Sequence, residues 1–215
     1  MRTSTRAGAE ARLVVFAKAP QAGRVKTRLV PVLGAQGAAR LHKRLVVRAL
    51  RTARDAARGA VELCCSPARS HPFFMDCARR FGVTLRAQGR GDLGARMRRA
   101  FERGLRGSAC VVLIGADCPA LRPADLRAAV RALESGADAV LAPAEDGGYA
   151  LIGLRRFSPR LFSGVEWGGE RVLAQTRARL RTLGWRWKEL RTVWDVDRPE
   201  DVLRLKRARL LERTP

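Results

Sequence analysis

Residues 12–28 read Arg-Leu-Val-Val-Phe-Ala-Lys-Ala-Pro-Gln-Ala-Gly-Arg-Val-Lys-Thr-Arg, an apolar run that breaks into a basic, glycine-containing loop. The run Arg12–Ala17 is too short for a helix and is ended by Pro20 and Gly23, so it reads as a buried strand. Beyond the loop, Leu41, Leu45 and Ala49 recur at helical spacing while arginines fill the other face, which predicts a helix over Ala35–Arg58. A strand, a loop and a returning helix form the first unit of an α/β fold, and the chain repeats it. Short apolar runs predict strands over 60–65, 83–87, 109–114 and 137–142. Between and after them, helices are expected over 73–81, 92–105, 123–133 and 170–183. The Gly147-Gly148 turn returns the chain through Tyr149–Leu154, residues 185–190 read as extended, and a last helix runs over Pro199–Leu211. Such alternation implies one three-layer α/β/α domain with a mainly parallel sheet, occupying residues 12–215 behind a flexible tail of residues 1–11.

Composition narrows the class. The chain has 215 residues, 47% hydrophobic and 29% charged, which excludes a disordered chain, a collagen-like fibre and a disulfide miniature. Its apolar runs fall short of the ~20 residues of a membrane span, and the N-terminus has no secretory h-region, so a cytoplasmic location is expected. Five cysteines without a C-x-x-C pair point to reduced thiols and no zinc site. The net charge is +23, carried almost wholly by arginine, with only five lysines. Residues 117–158 alone lean acidic, with six acidic against five basic residues. The basic shell should attract anions such as nucleotide phosphates, and the acidic stretch is where a cation belongs. A nucleic-acid-binding protein is the competing class, but the arginines are spread over many helices and no recognition motif is present. Non-specific, salt-sensitive binding is then all that the charge predicts.

Ligands of open α/β sheets bind outside the carboxyl ends of the strands. There, Lys18, Arg24, Lys26 and Arg28 surround Gly23, a composition suited to a polyphosphate, with a solvated basic loop as the plainer alternative. Asp117 follows the strand over 109–114 and can offer oxygen to a hard cation; a turn role is the alternative. Asp146, before Gly147-Gly148, is either a hairpin residue or a group that contacts the acceptor or acts as base. Pro199 at a first helical position makes Arg198 the nominal N-cap, which favours a ligand role for Asp197, with a cap as the alternative if the helix begins a residue or two away. Gly91, Asp92 and Arg96 lie in a glycine-rich approach to a helix N-terminus, where backbone N–H groups can meet a phosphate, ribose or base edge, unless Asp92 is only a cap.

Five motifs occur in order: Phe16-Ala-Lys-Ala-Pro-x-x-Gly-Arg-Val-Lys-Thr-Arg-Leu29, Gly91-Asp-Leu-Gly-x-Arg-Met97, Gly115-Ala-Asp-Cys-Pro-Ala-Leu121, Pro143-Ala-Glu-Asp-Gly-Gly-Tyr149 and Asp195-Val-Asp-x-Pro-Glu-Asp201. Together, over roughly residues 12–205, they resemble the DUF2064 family of bacterial glycosyltransferase-A-like proteins, some of them named as arsenosugar-biosynthesis or selenodomain-associated transferases. The resemblance implies a nucleotide-diphospho-sugar transferase fold. It also implies transfer of a sugar from a nucleotide sugar to a small-molecule acceptor, with nucleotidyl transfer from a nucleoside triphosphate as the alternative. By the same analogy Lys26 and Arg28 hold the nucleotide's phosphates, and Asp117 and Asp197 hold Mg2+ or Mn2+. Lys26, Asp117 and Asp146 become the catalytic candidates, and Lys18, Gly23, Gly91, Asp92 and Arg96 complete the nucleotide site. Two departures stand out: the loop lacks the Gly-Gly opening of the molybdenum-cofactor guanylyltransferases, and the D-x-D of many glycosyltransferases is here Asp117-Cys118-Pro119, with one carboxylate. No His or Cys pair suggests a covalent nucleophile, so direct displacement is expected.

Overall fold

In the computed structural model, which describes residues 10–211, seven strands form one sheet in the order β3-β2-β1-β4-β6-β5-β7. The strands are β1 (Arg12–Lys18), β2 (Val61–Ser66), β3 (Thr84–Ala87), β4 (Val111–Gly115), β5 (Ala139–Pro143), β6 (Tyr149–Leu154) and β7 (Trp187–Glu189). The helices are α1 (Val30–Ala56), α2 (Pro72–Phe81), α3 (Leu93–Leu105), α4 (Pro123–Glu134), α5 (Val172–Thr182) and α6 (Pro199–Arg207). Pairing is parallel except for β6, which runs antiparallel to β4 and β5. The connection of Ala144–Gly148 explains that exception: it is far too short for the crossover a parallel neighbour needs.

Side chains alternate along β1 between two cores. Leu13, Val15 and Ala17 face α1, α2 and α4, while Val14 and Phe16 face α3 and α5. On the second face Phe101 of α3 is fully buried and stacks on Phe162, ring centroids 5.7 Å apart. A third, smaller cluster joins α6 to α1 through Leu29, Leu45, Val196, Val202 and Leu205. It clamps the chain before α6 onto the loop after β1, which matters for the site.

Two helix ends differ from expectation. The first helix opens at Val30, with Pro31 in its first turn, and breaks at Gly34 (φ 66°, ψ 163°); its regular part begins at Ala35. The last helix stops at Arg207 instead of Leu211. Beyond it, Arg44 and Arg48 of α1 donate to the carbonyls of Leu211 and Leu210 at 2.7 and 2.8 Å, holding the chain in a turn against α1. The expected tail over residues 1–11 lies outside the described residues except for Glu10 and Ala11, and Ala11 packs against the core. No helix among the described residues is long and apolar enough to cross a membrane.

Candidate functional site

The register of β1 on β4 sets Phe16 beside Gly115, so the loops beginning at Lys18 and Asp117 leave the sheet side by side. The first loop turns sharply. Gly23 takes φ 73°, and Lys26 adopts a left-handed backbone (φ 49°), which costs an L-residue roughly 1–2 kcal/mol. That turn sends the Lys26 side chain inward, where it is only 5% exposed. Its Nζ lies 2.8 Å from Asp117 Oδ1 and 4.0 Å from Asp197 Oδ1. Arg28 bonds the other oxygen of Asp197.

Asp197 reaches this cluster because Val196, fully buried, donates its N–H to the Asp117 carbonyl at 2.9 Å. Asp197 does not cap α6. Asp201 does, its Oδ2 accepting from the backbone N–H groups of Asp197 and Arg198. Behind the cluster stands His42, 4% exposed, with Nε2 3.0 Å from the Lys18 carbonyl and Nδ1 3.7 Å from Asp117 Oδ1. A carbonyl can only accept, so Nε2 donates to it, and the approach of Nδ1 to the carboxylate is favourable when Nδ1 carries a hydrogen as well. Oδ1 of Asp117 is wholly covered although the side chain as a whole is 49% exposed. Its burial opposes ionisation, but the Lys26 ammonium and the His42 ring outweigh it and hold the carboxyl well below the usual carboxylate range.

The second wall is the loop before α3. Gln88 is buried and donates to the carbonyls of Ala17 (3.1 Å) and Cys64 (2.9 Å), tying β3 to β1 and β2. Arg96 donates to the Gly91 carbonyl at 2.9 Å, and Asp92 Oδ1 accepts from Ala95 N–H at 2.7 Å. Arg96 therefore braces the loop, and Asp92 is the N-cap. Lys18, Arg24, Lys26, Arg28, Gly91, Asp92, Arg96, Asp117 and Asp197 all line one cleft of about 640 Å³. Gly23 shapes its loop without lining it.

Asp146 lies beside this cleft. Its Oδ1 accepts from Gly148 N–H at 2.9 Å, so the hairpin role is present. It also faces an adjoining cavity of about 240 Å³, together with Asp117, Asp195, Tyr149 and Trp167. Burial pushes the Asp195 carboxyl up to about 6, helped by the charges of Asp146 and Asp117 and opposed by Lys26. The five cysteines are free and buried; burial raises Cys118, the one beside the site, to about 11. Such a thiol is protonated near neutrality and a poor nucleophile.

Asp195, His42, Gln88 and Trp167 are site residues without an assignment from sequence. Asp195 had a signal, since it sits two residues from Asp197 in extended chain and so on the same side. His42 had a weaker one, falling on the apolar stripe of α1 with Leu45 and Ala49. Gln88 and Trp167 are placed by tertiary packing alone.

Among the described residues no group of three or more His, Cys, Asp or Glu side chains is set to hold an ion. Asp117 and Asp197 nonetheless converge on one cation, the Lys26 ammonium. Two carboxylates plus substrate phosphates and water are a donor set that Mg2+ accepts, so the residues fit such an ion.

Comparisons with known proteins follow the same lines. The family described as "Uncharacterized protein conserved in bacteria (DUF2064)" matches residues 49–169. No curated protein matches the chain. A crystal structure from Desulfovibrio desulfuricans G20, assigned provisionally as a nucleotide-diphospho-sugar transferase, is 28% identical over 95% of this chain and 97% of its own, with a TM-score of 0.81. A nucleotidyl transferase from Methanothermobacter is 16% identical over 96% of this chain and 100% of its own, with a TM-score of 0.63. Glucosyl-3-phosphoglycerate synthase from Mycobacterium tuberculosis, solved with Mn2+, UDP and glucosyl-3-phosphoglycerate, is 13% identical over 95% of this chain and 78% of its own, with a TM-score of 0.59. At those identities the last two establish a shared fold.

Proposed function

The chain belongs to the DUF2064 family, and from that premise we propose that it is a metal-dependent transferase with a nucleotide-activated donor, a glycosyltransferase acting on a nucleotide-diphospho-sugar. One observation carries the reading: Lys26, Asp117 and Asp197 converge at the carboxyl ends of β1 and β4, inside a cleft rimmed by Lys18, Arg24 and Arg28. Anionic groups and a cation have complementary places there, within one opening.

Lys18 and Arg24 line the cleft without an ion-pair partner among the described residues, and they are the first groups a diphosphate meets. Lys26 lies deeper, against Asp117, while the exposed Arg28 pairs with Asp197 at the rim. The Asp117 and Asp197 carboxylates would hold Mg2+ or Mn2+, which offsets charge on the leaving diphosphate. The depressed pKa of Asp117 keeps that ligand ionised at any working pH. His42 braces both parts of the site, bonding the Lys18 carbonyl while facing Asp117. Asp146, which faces the adjoining cavity, would take the acceptor's proton as it attacks.

The four cations of the loop also suit a triphosphate, which keeps nucleotidyl transfer as the second reading. The two differ in what they bind and release. Incubation with a panel of nucleotide sugars and nucleoside triphosphates, each with Mg2+, should give selective thermal stabilisation by a nucleotide sugar and release of a nucleoside diphosphate. Selective stabilisation by a triphosphate, with pyrophosphate released in the presence of a phosphorylated acceptor, would establish nucleotidyl transfer instead.

A further inference from the structure

The acceptor's chemistry is written in the charge of the cavity beside the cleft, and resting on the transferase reading above, we propose that the acceptor enters with an uncharged, hydroxyl-bearing end and that a phosphate next to the attacking hydroxyl is excluded. In a chain with 43 basic residues, no Lys or Arg lines this cavity among the described residues. Its polar side chains include Asp117, Asp146 and Asp195, and its aromatic walls are Tyr149 and Trp167. The contrast with the adjoining cleft is sharp, because there Lys18, Arg24, Lys26, Arg28 and Arg96 face the opening. The two spaces meet along Leu93, Gly115 and Asp117, so a group in the cavity abuts the end of a nucleotide's phosphates in the cleft.

The walls are built. Trp167 is seated on the first turn of α3 so closely that a Cβ at Gly94 would stand 2.2 Å from its Nε1. The Asp146 turn is held against Glu170, where a Cβ at Gly147 would stand 2.1 Å from the Glu170 carbonyl oxygen. A cavity of about 240 Å³ is smaller than the ~300–1,000 Å³ that encloses a whole ligand, so it takes one end of the acceptor. Hydroxyl groups donate hydrogen bonds to carboxylates, and C–H faces rest on an indole and a phenol ring. A phosphate there would meet the Asp146 and Asp195 carboxylates, and the Lys26 ammonium beyond the wall is already paired with Asp117. A protonated amine would be attracted but has no lone pair with which to attack.

The acceptor's hydroxyl oxygen bonds to the anomeric carbon as the bond from that carbon to the β-phosphate oxygen breaks. The electron pair leaves with the nucleoside diphosphate, and the hydroxyl proton passes to the Asp146 carboxylate.

The test uses the full chain with Mg2+, the nucleotide sugar that stabilises it, and, at equal concentration as probe acceptors, glycerol or glycerol 2-phosphate, in which either hydroxyl brings the phosphate in with it. Nucleotide-sugar binding and slow hydrolysis are recorded first. If neither occurs with any nucleotide sugar, the transferase reading fails and takes this inference with it. If hydrolysis occurs, glycerol should capture the sugar at least tenfold more than glycerol 2-phosphate. Ala150→Lys, which places a cation on the cavity wall, should narrow that ratio while nucleotide-sugar stabilisation stays unchanged. Equal or greater transfer to glycerol 2-phosphate in the wild type, or hydrolysis with transfer to neither probe, would overturn the proposal.

Discussion

Asp195 shows at the scale of one residue what a site costs. Its carboxyl is half-buried near Asp146 and Asp117, and its pKa is raised to about 6 from an ordinary value near 3.9. A raised folded-state value means that the native state prefers the protonated form. The associated stability is fully present below about pH 4 and is lost as pH rises through about 6. Asp195→Asn should therefore stabilise the protein at pH 7.5 by on the order of 1–2 kcal/mol, a rise of roughly 2–8 °C in Tm, and the gain should vanish at pH 4. Equal gains at both pH values would show that the carboxylate is not the strained group. Asp117 titrates in the opposite sense. Its folded-state value is depressed, so its stabilising contribution is present above the unfolded value and disappears as pH falls. Lys26→Ala should weaken nucleotide binding with the fold intact, as read by titration calorimetry and circular dichroism; unchanged affinity would return the loop to a solvated basic segment. Asp117 and Lys26 were legible as residues because each lies in a loop that a strand delivers to the sheet's carboxyl edge, and Asp197 because Pro199 moves the nominal N-cap to Arg198. Their mutual contact was not, since it depends on Val196 docking on the Asp117 carbonyl.

At the scale of elements, short apolar runs and helical stripes placed every strand and helix to within a few residues. The antiparallel β6 was readable too, because a turn through Gly147-Gly148 leaves no room for a crossover. The ends of α1 and α6 were hidden for a different reason. Gly34 breaks one helix locally, whereas the arginine bonds from α1 stop the other through tertiary contact. The close fit of α3 under Trp167 also lay beyond periodicity, since Gly94 looks like any small helical residue. Gly94→Ala should destabilise the protein by about 1–3 kcal/mol, as overpacking does, and shift the tryptophan fluorescence as the indole moves. Denaturant unfolding with an unchanged midpoint would mean that the contact is slack.

Over the whole molecule the charge of +23 and the calculated pI near 11.6 invite a nucleic-acid reading, and arginines spread over many helices predict only non-specific binding. Several acidic side chains are spent on local pairs, such as Arg106 with Glu102 and Arg171 with Glu166, while arginine covers much of the exposed surface. Such exposed pairs contribute little to stability, ~0–1 kcal/mol each. Retention on a polyanion should fall steeply with added salt and show no sequence preference; tight, selective binding at physiological salt would contradict this. What the molecule concentrates instead is one two-toned opening, cationic where β1 ends and anionic beyond β4. The most direct test of that arrangement is the thermal stabilisation of the protein by a nucleoside diphosphate, measured with Mg2+, with chelator, and in Asp117→Ala. The account predicts stabilisation that requires the metal and is lost in the variant, amounting to about 2.7 kcal/mol at a hundredfold excess over Kd in the wild type. Stabilisation that persists in chelator, or survives in Asp117→Ala, would contradict it.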